Sequence, residues 1–538
     1  MAFGVFKFYF TLASTAIKLC GRTAPAESCD KPARRTLDTL PDVVLREIFA
    51  FCISCPPFPN PHMQSWLILV HVCKRWGETI YASQHYLDMF VHLRFSDYHH
   101  SRHTIEETID RWPDIPLSLD FFVGEQGEPE NDTDDSHLRA ALVQRDHIHR
   151  MYVYMVGREA DWFAEQISEE FRQLTHLDLM AESGRFDPDN VPHISFDRFL
   201  GGSAPSLQHL SIHGFDFEGL PSLLVSAPDL ISLQIMDIRL TCYISPEEMA
   251  GALAGLTKLR ELTVAFSLYI LTHEFRNAME SQSLHSPTHA VLPALTELRI
   301  EGDNEYLENL INLINAPRLD KLHVEYLKPD RDEVKLRAGN LSQFISRTET
   351  FKNARFRRAE VGLYETQTYV ALHHPQDEYQ QARFSHTVGD PEYWDVPFID
   401  TVSHVANCLG HLDIMLSNVQ YLSIKNYNER MKPEGKHPAL KNINWLLLLR
   451  SFSAVEVLHV SGGLVEHVAS ALEDTTEEMV VQVLPALQVL WLDNDQDKKE
   501  KSKSVERFLS SRGKFGHPVV MAQSSDEFME RPIGVEQK

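Results

Sequence analysis

One pattern returns along most of this chain and limits what it can fold into: an apolar residue, two others, leucine, one other, and an apolar residue. Copies begin at Leu174, Leu207, Leu230, Leu259, Leu295, Leu319, Val419, Val455 and Leu487. Leu207-Gln-His-Leu210-Ser-Ile212 shows the form, and Ile148-His-Arg-Met151-Tyr-Val153 is a looser copy. The alternation at the end of each copy is the period of a strand with one buried face. A single unit of this kind cannot bury its own apolar side, so units stack and share a continuous core. The spacing runs from 23 residues (Leu207 to Leu230) to 36 (Leu259 to Leu295). Between Leu319 and Val419 the pattern lapses for 100 residues, which leaves room for two or three degenerate units around Phe351–Phe356 and Tyr369–Leu372.

The segments between copies read as helices. Ser245-Pro246-Glu247-Glu248 joins an N-cap serine, a first-turn proline and a capping-box glutamate, with Met249, Leu253 and Leu256 continuing the apolar face. Glu305–Asn315 places Leu307, Leu310, Ile311 and Ile314 on one side. Pro205, Pro228, Pro293, Pro317 and Pro485 stand just before copies, where proline stops a helix and favours extended chain. The expected fold class is therefore an α/β solenoid of alternating helices and short parallel strands.

The N-terminal part differs. Residues 20–36 are polar, with two prolines and no apolar period, and read as a linker. Leu40-Pro41-Asp42 then opens a helix whose apolar face is Val44, Leu45, Ile48 and Phe49. The proline-rich Pro56–Pro61 stretch must be a loop. A second helix is predicted over 66–82, with Leu69, Val72, Cys73, Trp76 and Ile80 along its stripe.

Leu40-Pro41, the Leu45…Ile48-Phe49 helix and Val72-Cys73-Lys74-Arg75-Trp76 resemble an F-box, with a longer and more proline-rich connecting loop than that family usually has. The remainder resembles the irregular leucine-rich repeats that follow F-boxes in many fungal proteins. The family's asparagine or cysteine after each repeat strand is missing here, which implies a wider arc. The resemblance implies a flexible segment at 1–36, an all-helical F-box module at 37–85, a repeat domain at 86–520 and a tail at 521–538. It also implies a role: docking on a Skp-family adaptor, and through it on a cullin–RING ubiquitin ligase, while the repeats hold a protein substrate. Carried over by position, Leu40, Pro41, Val44, Leu45, Ile48, Phe49, Val70, Cys73 and Trp76 face the adaptor or support that face. About half of them are expected to fill the module's own core, since few interface residues carry the binding energy. The alternative is a repeat scaffold for protein–protein interaction that joins no ligase.

Other chemistry is weakly represented. A net charge of −25 over 538 residues argues against unaided binding to a nucleic-acid backbone and favours a basic partner. Seven irregularly spaced cysteines fit a reducing compartment, hence an intracellular protein, cytoplasmic or nuclear. The apolar run Phe8–Ile17 behind Lys7 loosely resembles a signal peptide, which leaves secretion as the minor alternative, since Lys18 stands where a small-residue cleavage region should continue; the run is too short to span a bilayer, so no membrane partner is expected. Cys52-Ile-Ser-Cys55 lacks the second pair that zinc requires. The clusters His99-His100-Ser-Arg-His103 and His373-His374 are what chance gives among 27 histidines. Glu125–Asp135 reads as a solvated acidic loop, and the lysines of 498–503 alternate with acids and serines. No phosphate loop, nucleophile elbow or zinc-binding helix motif occurs, so no catalytic residue, metal ligand or cofactor is assigned.

Strand alternation sends the residues between the apolar positions to the open face. The middle copies place Glu261, Glu297, Arg299, Glu301, Lys321 and Glu325 there, a mostly acidic strip. The last copies place Tyr421, Val457, His459, Val489 and Trp491 there, and these five are the candidate substrate-binding residues. An equally weighted reading has residues 504–520, with Val505, Phe508, Leu509 and Phe515, folding over as a last unit and burying Trp491.

Overall fold

The computed structural model describes residues 40–54, 72–82, 91–95, 116–123, 141–156, 163, 167–182, 193–238, 243–266, 288–328, 339–364, 367–374, 381–388, 401–410, 412–427, 444–461, 464–473, 482–492 and 503–522. Val70, Cys55, the 1–19 run, the His99–His103 cluster and the acidic loop 125–135 lie outside these residues. The chain divides into two compact units, residues 1–153 and 154–538.

In the first unit, α1 (Asp42–Ser54) packs on α2 (Lys74–Tyr81). Leu45, Phe49, Trp76 and Ile80 are buried between them, and Phe49 meets Trp76 edge-on with ring centroids 5.0 Å apart. Arg75 Nη2 ties the helices together, donating to the Leu40 carbonyl (2.5 Å) and to Asp42 Oδ1 (2.7 Å). The helix predicted over 66–82 is corrected in its described part. Cys73 is an extended N-cap (φ −161°, ψ 163°), so the helix starts at Lys74, and Val72 and Cys73 precede it. Beyond this pair lie β1 (Val91–Phe95), β2 (Leu117–Val123) and β3 (Ile148–Val156), with β1 parallel to β2.

The second unit is a large, mostly parallel sheet with helices. Its strands are β4 (His176–Glu182), β5 (His193–Ser195), β6 (His209–His213), β7 (Asp216–Glu218), β8 (Ser232–Ile238), β9 (Glu261–Phe266), β10 (Ala290–Val291), β11 (Glu297–Gly302), β12 (Ile314–Asn315), β13 (Lys321–Lys328), β14 (Arg358–Leu363), β15 (Gln367–His373), β16 (Gln381–Val388), β17 (Tyr421–Asn426), β18 (Val457–Val460), β19 (Val489–Leu492) and β20 (Val520–Ala522). The helices used below are α3 (Leu220–Val225), α4 (Pro246–Leu253), α5 (Asn304–Leu313), α6 (Gly339–Arg347), α7 (Glu349–Asn353), α8 (Thr401–Leu409), α9 (Asp413–Leu416), α10 (Trp445–Arg450), α11 (Val465–Glu473) and α12 (Lys503–Lys514). Across this unit the sheet order is β4-β6-β8-β9-β11-β13-β16-β15-β14-β17-β18-β19-β20; β5–β7 and β10–β12 are separate two-stranded ladders.

Every predicted copy here places its strand in the same register. Leu177, Leu210, Leu233, Leu262, Leu298 and Leu322 lie side by side, as do Leu422, Leu458 and Leu490, and all are buried. A second repeated bond locks the register. The two N–H groups entering each strand share one carbonyl of the previous copy: Gln208 and His209 on Thr175, Ile231 and Ser232 on Gln208, Arg260 and Glu261 on Ile231. The same sharing returns at Arg357, Gln420 and Glu456. The capping box at α4 forms as predicted, with Glu248 N donating to Ser245 Oγ and Ser245 N to Glu248 Oε2, each 3.2 Å. The helix predicted over Glu305–Asn315 stops at Leu313, because Ile314 and Asn315 pair with Ala290 and Val291.

The expectation of parallel strands throughout is corrected between β13 and β17. The chain passes from α6 and α7 into β14, which pairs with the later strand β17. It then turns back through β15, antiparallel to both neighbours, into β16, which pairs with β13. The degenerate unit sought around Phe351–Phe356 is α7 leading into β14. The one sought around Tyr369–Leu372 is the reversed strand β15 rather than a repeat. β14 keeps the spacing as Phe356-Arg-Arg-Ala359-Glu-Val361, with alanine in the leucine position; Ala382 takes that position in β16. Both alanines are buried, and α8 lies across β15 and β16 on this side. At the C-terminal end, α12 packs on α11 and β20 pairs with β19. Arg512, buried, donates to the Val483 (3.0 Å) and Leu484 (2.9 Å) carbonyls and pins α12 there.

Candidate functional site

Leucine rows occupy one face of the sheet, and polar and aromatic residues occupy the other. In the parallel part, this open face is a set of separate pairs. His176 stacks on His209 (4.2 Å, 17°), Ser232 Oγ donates to Glu261 Oε2 (3.0 Å), and Lys321 Nζ to Glu297 Oε2 (2.9 Å). Asp178, on the same face, is pushed up by burial, against a hydrogen bond from Ser211 and the neighbouring His213.

From β11 to β17 the groups join into networks. Glu325 Oε1 accepts from Gln367 Nε2 (2.8 Å) and Thr387 Oγ1 (2.5 Å), while Oε2 lies 3.6 Å from His323 Nε2. Burial alone would push this carboxyl up; hydrogen bonds from His323 and Thr387 and the charge of His323 hold it down, at about 2. Glu301 sits opposite Glu325 in the ladder, and its Oε1 accepts from Arg299 Nε (2.5 Å). The donor atoms of Glu301, His323 and Glu325 all lie within 4.8 Å of one another.

A second hub is Glu360 on β14. It accepts from Lys425 Nζ (2.6 Å), Tyr369 OH (2.6 Å) and Tyr427 OH (2.8 Å). Burial raises its carboxyl, but these three bonds and the Lys425 charge bring it below the usual range. Tyr364, Tyr369 and Tyr427 cluster about it, Tyr364 and Tyr427 stacked at 5.3 Å, and the Arg383 guanidinium lies 4.2 Å over the Tyr369 ring. Gly362 makes this possible, because a Cβ there would collide with the hydroxyl edge of the Tyr369 ring, at Cζ.

The five candidate substrate residues come together beside this hub. Tyr421, Val457 and Val489 are register partners in one row, and His459 and Trp491 are partners in the next. His459 is buried, its Nδ1 2.8 Å from Ser423 Oγ, and its ring stacks on Trp491 at 4.3 Å. Residues 503–522 do form a final helix and strand, with Val505 and Phe508 buried; Trp491, facing Ala522 in the ladder, stays half-buried. Of the candidate adaptor residues, Leu45, Phe49 and Trp76 are interior, whereas Leu40, Val44, Ile48 and Cys73 are half-buried and Pro41 is exposed.

Sequence reasoning placed Glu301 and Glu325 on this face but passed over His323, whose signal was the His-x-Glu alternation in β13. Glu360, Tyr369 and Arg383 lie where the pattern lapses, so their rows became visible only with the strand order. The chain matches no protein-family model and no curated protein sequence. Among the described residues, no helix is long and apolar enough to cross a membrane.

Proposed function

We propose that this chain is the substrate-recognition subunit of an SCF-type ubiquitin ligase, its N-terminal helices docking on a Skp-family adaptor and its sheet face holding a protein substrate. The supporting observation is the two-helix element of the first unit. Its interior is filled by Leu45, Phe49, Trp76 and Ile80, yet Val43 (60% exposed), Val72 (38%) and Pro41 stand at the surface, with Leu40, Val44 and Ile48 only partly covered. Apolar side chains gathered on so small an element mark a partner's groove. In this reading the chain performs no catalysis, and ubiquitin transfer belongs to partner subunits. The open sheet face, a mixed strip ending in the Tyr421, Val457, His459, Val489 and Trp491 patch, takes the substrate.

The test is co-purification of the full chain with a Skp-family adaptor, beside a Leu40→Ala/Pro41→Ala variant. Arg75 bonds the Leu40 carbonyl rather than its side chain, so the helix pair survives the change. Loss of one leucine's buried surface is worth roughly 1.5–3 kcal/mol, about tenfold to a hundredfold in affinity. Adaptor capture at the wild-type level by the double variant refutes this docking. No capture by either chain leaves a repeat scaffold outside any ligase.

A further inference from the structure

We propose that Glu301, His323 and Glu325 form a binding site for a single divalent transition-metal ion of the zinc type, on the open face of the sheet.

The site is built by register. His323 and Glu325 are two residues apart on β13 and so share a face, and β11 sets Glu301 directly opposite Glu325. One imidazole nitrogen and two carboxylate oxygens are ligands that zinc accepts, and three protein ligands leave a coordination position open to a water or an incoming group. Tetrahedral zinc sets its donors about 3.4 Å apart. The present separations of up to 4.8 Å close by a small movement of the Glu301 side chain, which reaches in from the neighbouring strand.

The surroundings distinguish this trio from a chance meeting of charges. Each carboxylate has one oxygen held by the protein: Glu325 Oε1 by Gln367 and Thr387, and Glu301 Oε1 by Arg299. Fixing one oxygen of a carboxylate and leaving the other to the ion is how outer residues orient metal ligands. The side chains are also withdrawn from water, at 17% exposure for Glu301, 19% for His323 and 12% for Glu325, so an ion here exchanges only part of its hydration. Arg299 offsets one of the two negative charges, and the ion takes the place of the proton that His323 shares with Glu325, so a dication still meets net attraction. This proposal does not depend on ligase membership.

The experiment is equilibrium dialysis of the full metal-free chain against Zn²⁺, followed by Co²⁺ loading read by visible absorption. Because the chain has 27 histidines, the informative quantity is the difference between variants. His323→Ala and Glu301→Gln should each lose one tight equivalent, while a His99→Ala/His100→Ala/His103→Ala chain keeps it. Thr387→Val and Gln367→Ala remove no ligand and should weaken that equivalent about tenfold to a hundredfold. The Co²⁺ form should show ligand-field bands without thiolate charge transfer. Glu301→Gln, at a partly exposed side chain, keeps the test decisive should His323→Ala fold poorly. Unchanged binding in both ligand variants, no tight equivalent in the wild-type chain, or a thiolate band assigned to the tight equivalent overturns the proposal.

Discussion

From β4 to β13 each new main-sheet strand takes its place beside the previous one, and its first two N–H groups share a carbonyl of that neighbour. Between β13 and β17 three strands enter in reverse order: β14 pairs with the later β17, β15 runs antiparallel to both neighbours, and β16 joins β13, with Gln381 N donating to the Asp320 carbonyl (3.1 Å). The two regions share a core face but differ on the open one. Where the strands repeat, side chains pair locally. Where the meander intervenes, tyrosines, arginines and carboxylates brought from distant segments meet in networks. A solenoid builds its scaffold from sameness, and here the interruption carries the densest chemistry.

The largest test exchanges residues within the shared leucine row. Leu298, fully buried in the parallel region, should cost about 2–5 kcal/mol when cut to alanine. Ala382 occupies the same row in the meander, under α8, and is also fully buried. Ala382→Leu supplies the residue the pattern prefers, yet should destabilise by about 1–3 kcal/mol through overpacking. Urea denaturation of both variants compares them. A neutral or stabilising Ala382→Leu would show that the small residues of the meander are not there to seat the helix.

Gly362 gives a second, smaller contrast. Its backbone is ordinary, so only the Tyr369 ring above it demands glycine. Gly362→Ala should cost about 1–3 kcal/mol, and almost nothing in a Tyr369→Ala background, since the two positions are in contact and couple. Equal costs in the two backgrounds would remove the ring from the explanation.

The parallel region was legible because its information is local. Alternation assigned Leu262, Val264, Leu298 and Ile300 to the core, and Ser245-Pro-Glu-Glu248 marked a helix start, without reference to any other segment. The meander was not legible, because strand order and direction depend on which distant strand is the partner. Phe356-Arg-Arg-Ala359-Glu-Val361 keeps the spacing but replaces the leucine that identifies a copy. The site followed the same rule. Tyr421 through Trp491 were found as rows of a repeat, whereas the neighbours of Glu360 come from β14, β15 and the end of β17. In the first unit, Val72 and Cys73 extended the apolar stripe by spacing alone, and only the extended backbone at Cys73 shows that the helix starts after them.

The finest distinction is between two lysine–glutamate pairs. Lys321 and Glu297, in the parallel region, are both more than two-fifths exposed, so Glu297→Gln should change stability by a few tenths of a kcal/mol, and less in high salt. Glu360 is 24% exposed and also serves two tyrosine hydroxyls. Bonds to a charged acceptor are worth about 1.5–3 kcal/mol when covered, and partial solvent screening brings Glu360→Gln to about 1 kcal/mol at neutral pH. Its carboxyl is held below the ordinary range in the folded chain, so its contribution is complete above the unfolded value and is lost as pH falls through the folded one. The gap between wild type and Glu360→Gln should therefore narrow on acidification. Glu308 and Asp178, raised by burial, shift stability in the opposite sense, but they are common to both chains and cancel in the difference. Urea midpoints measured from neutral to acid pH read that gap directly. A gap that is constant across the range would mean that the Glu360 hub acts by shape alone, and the meander would differ from the ladder in topology but not in electrostatics.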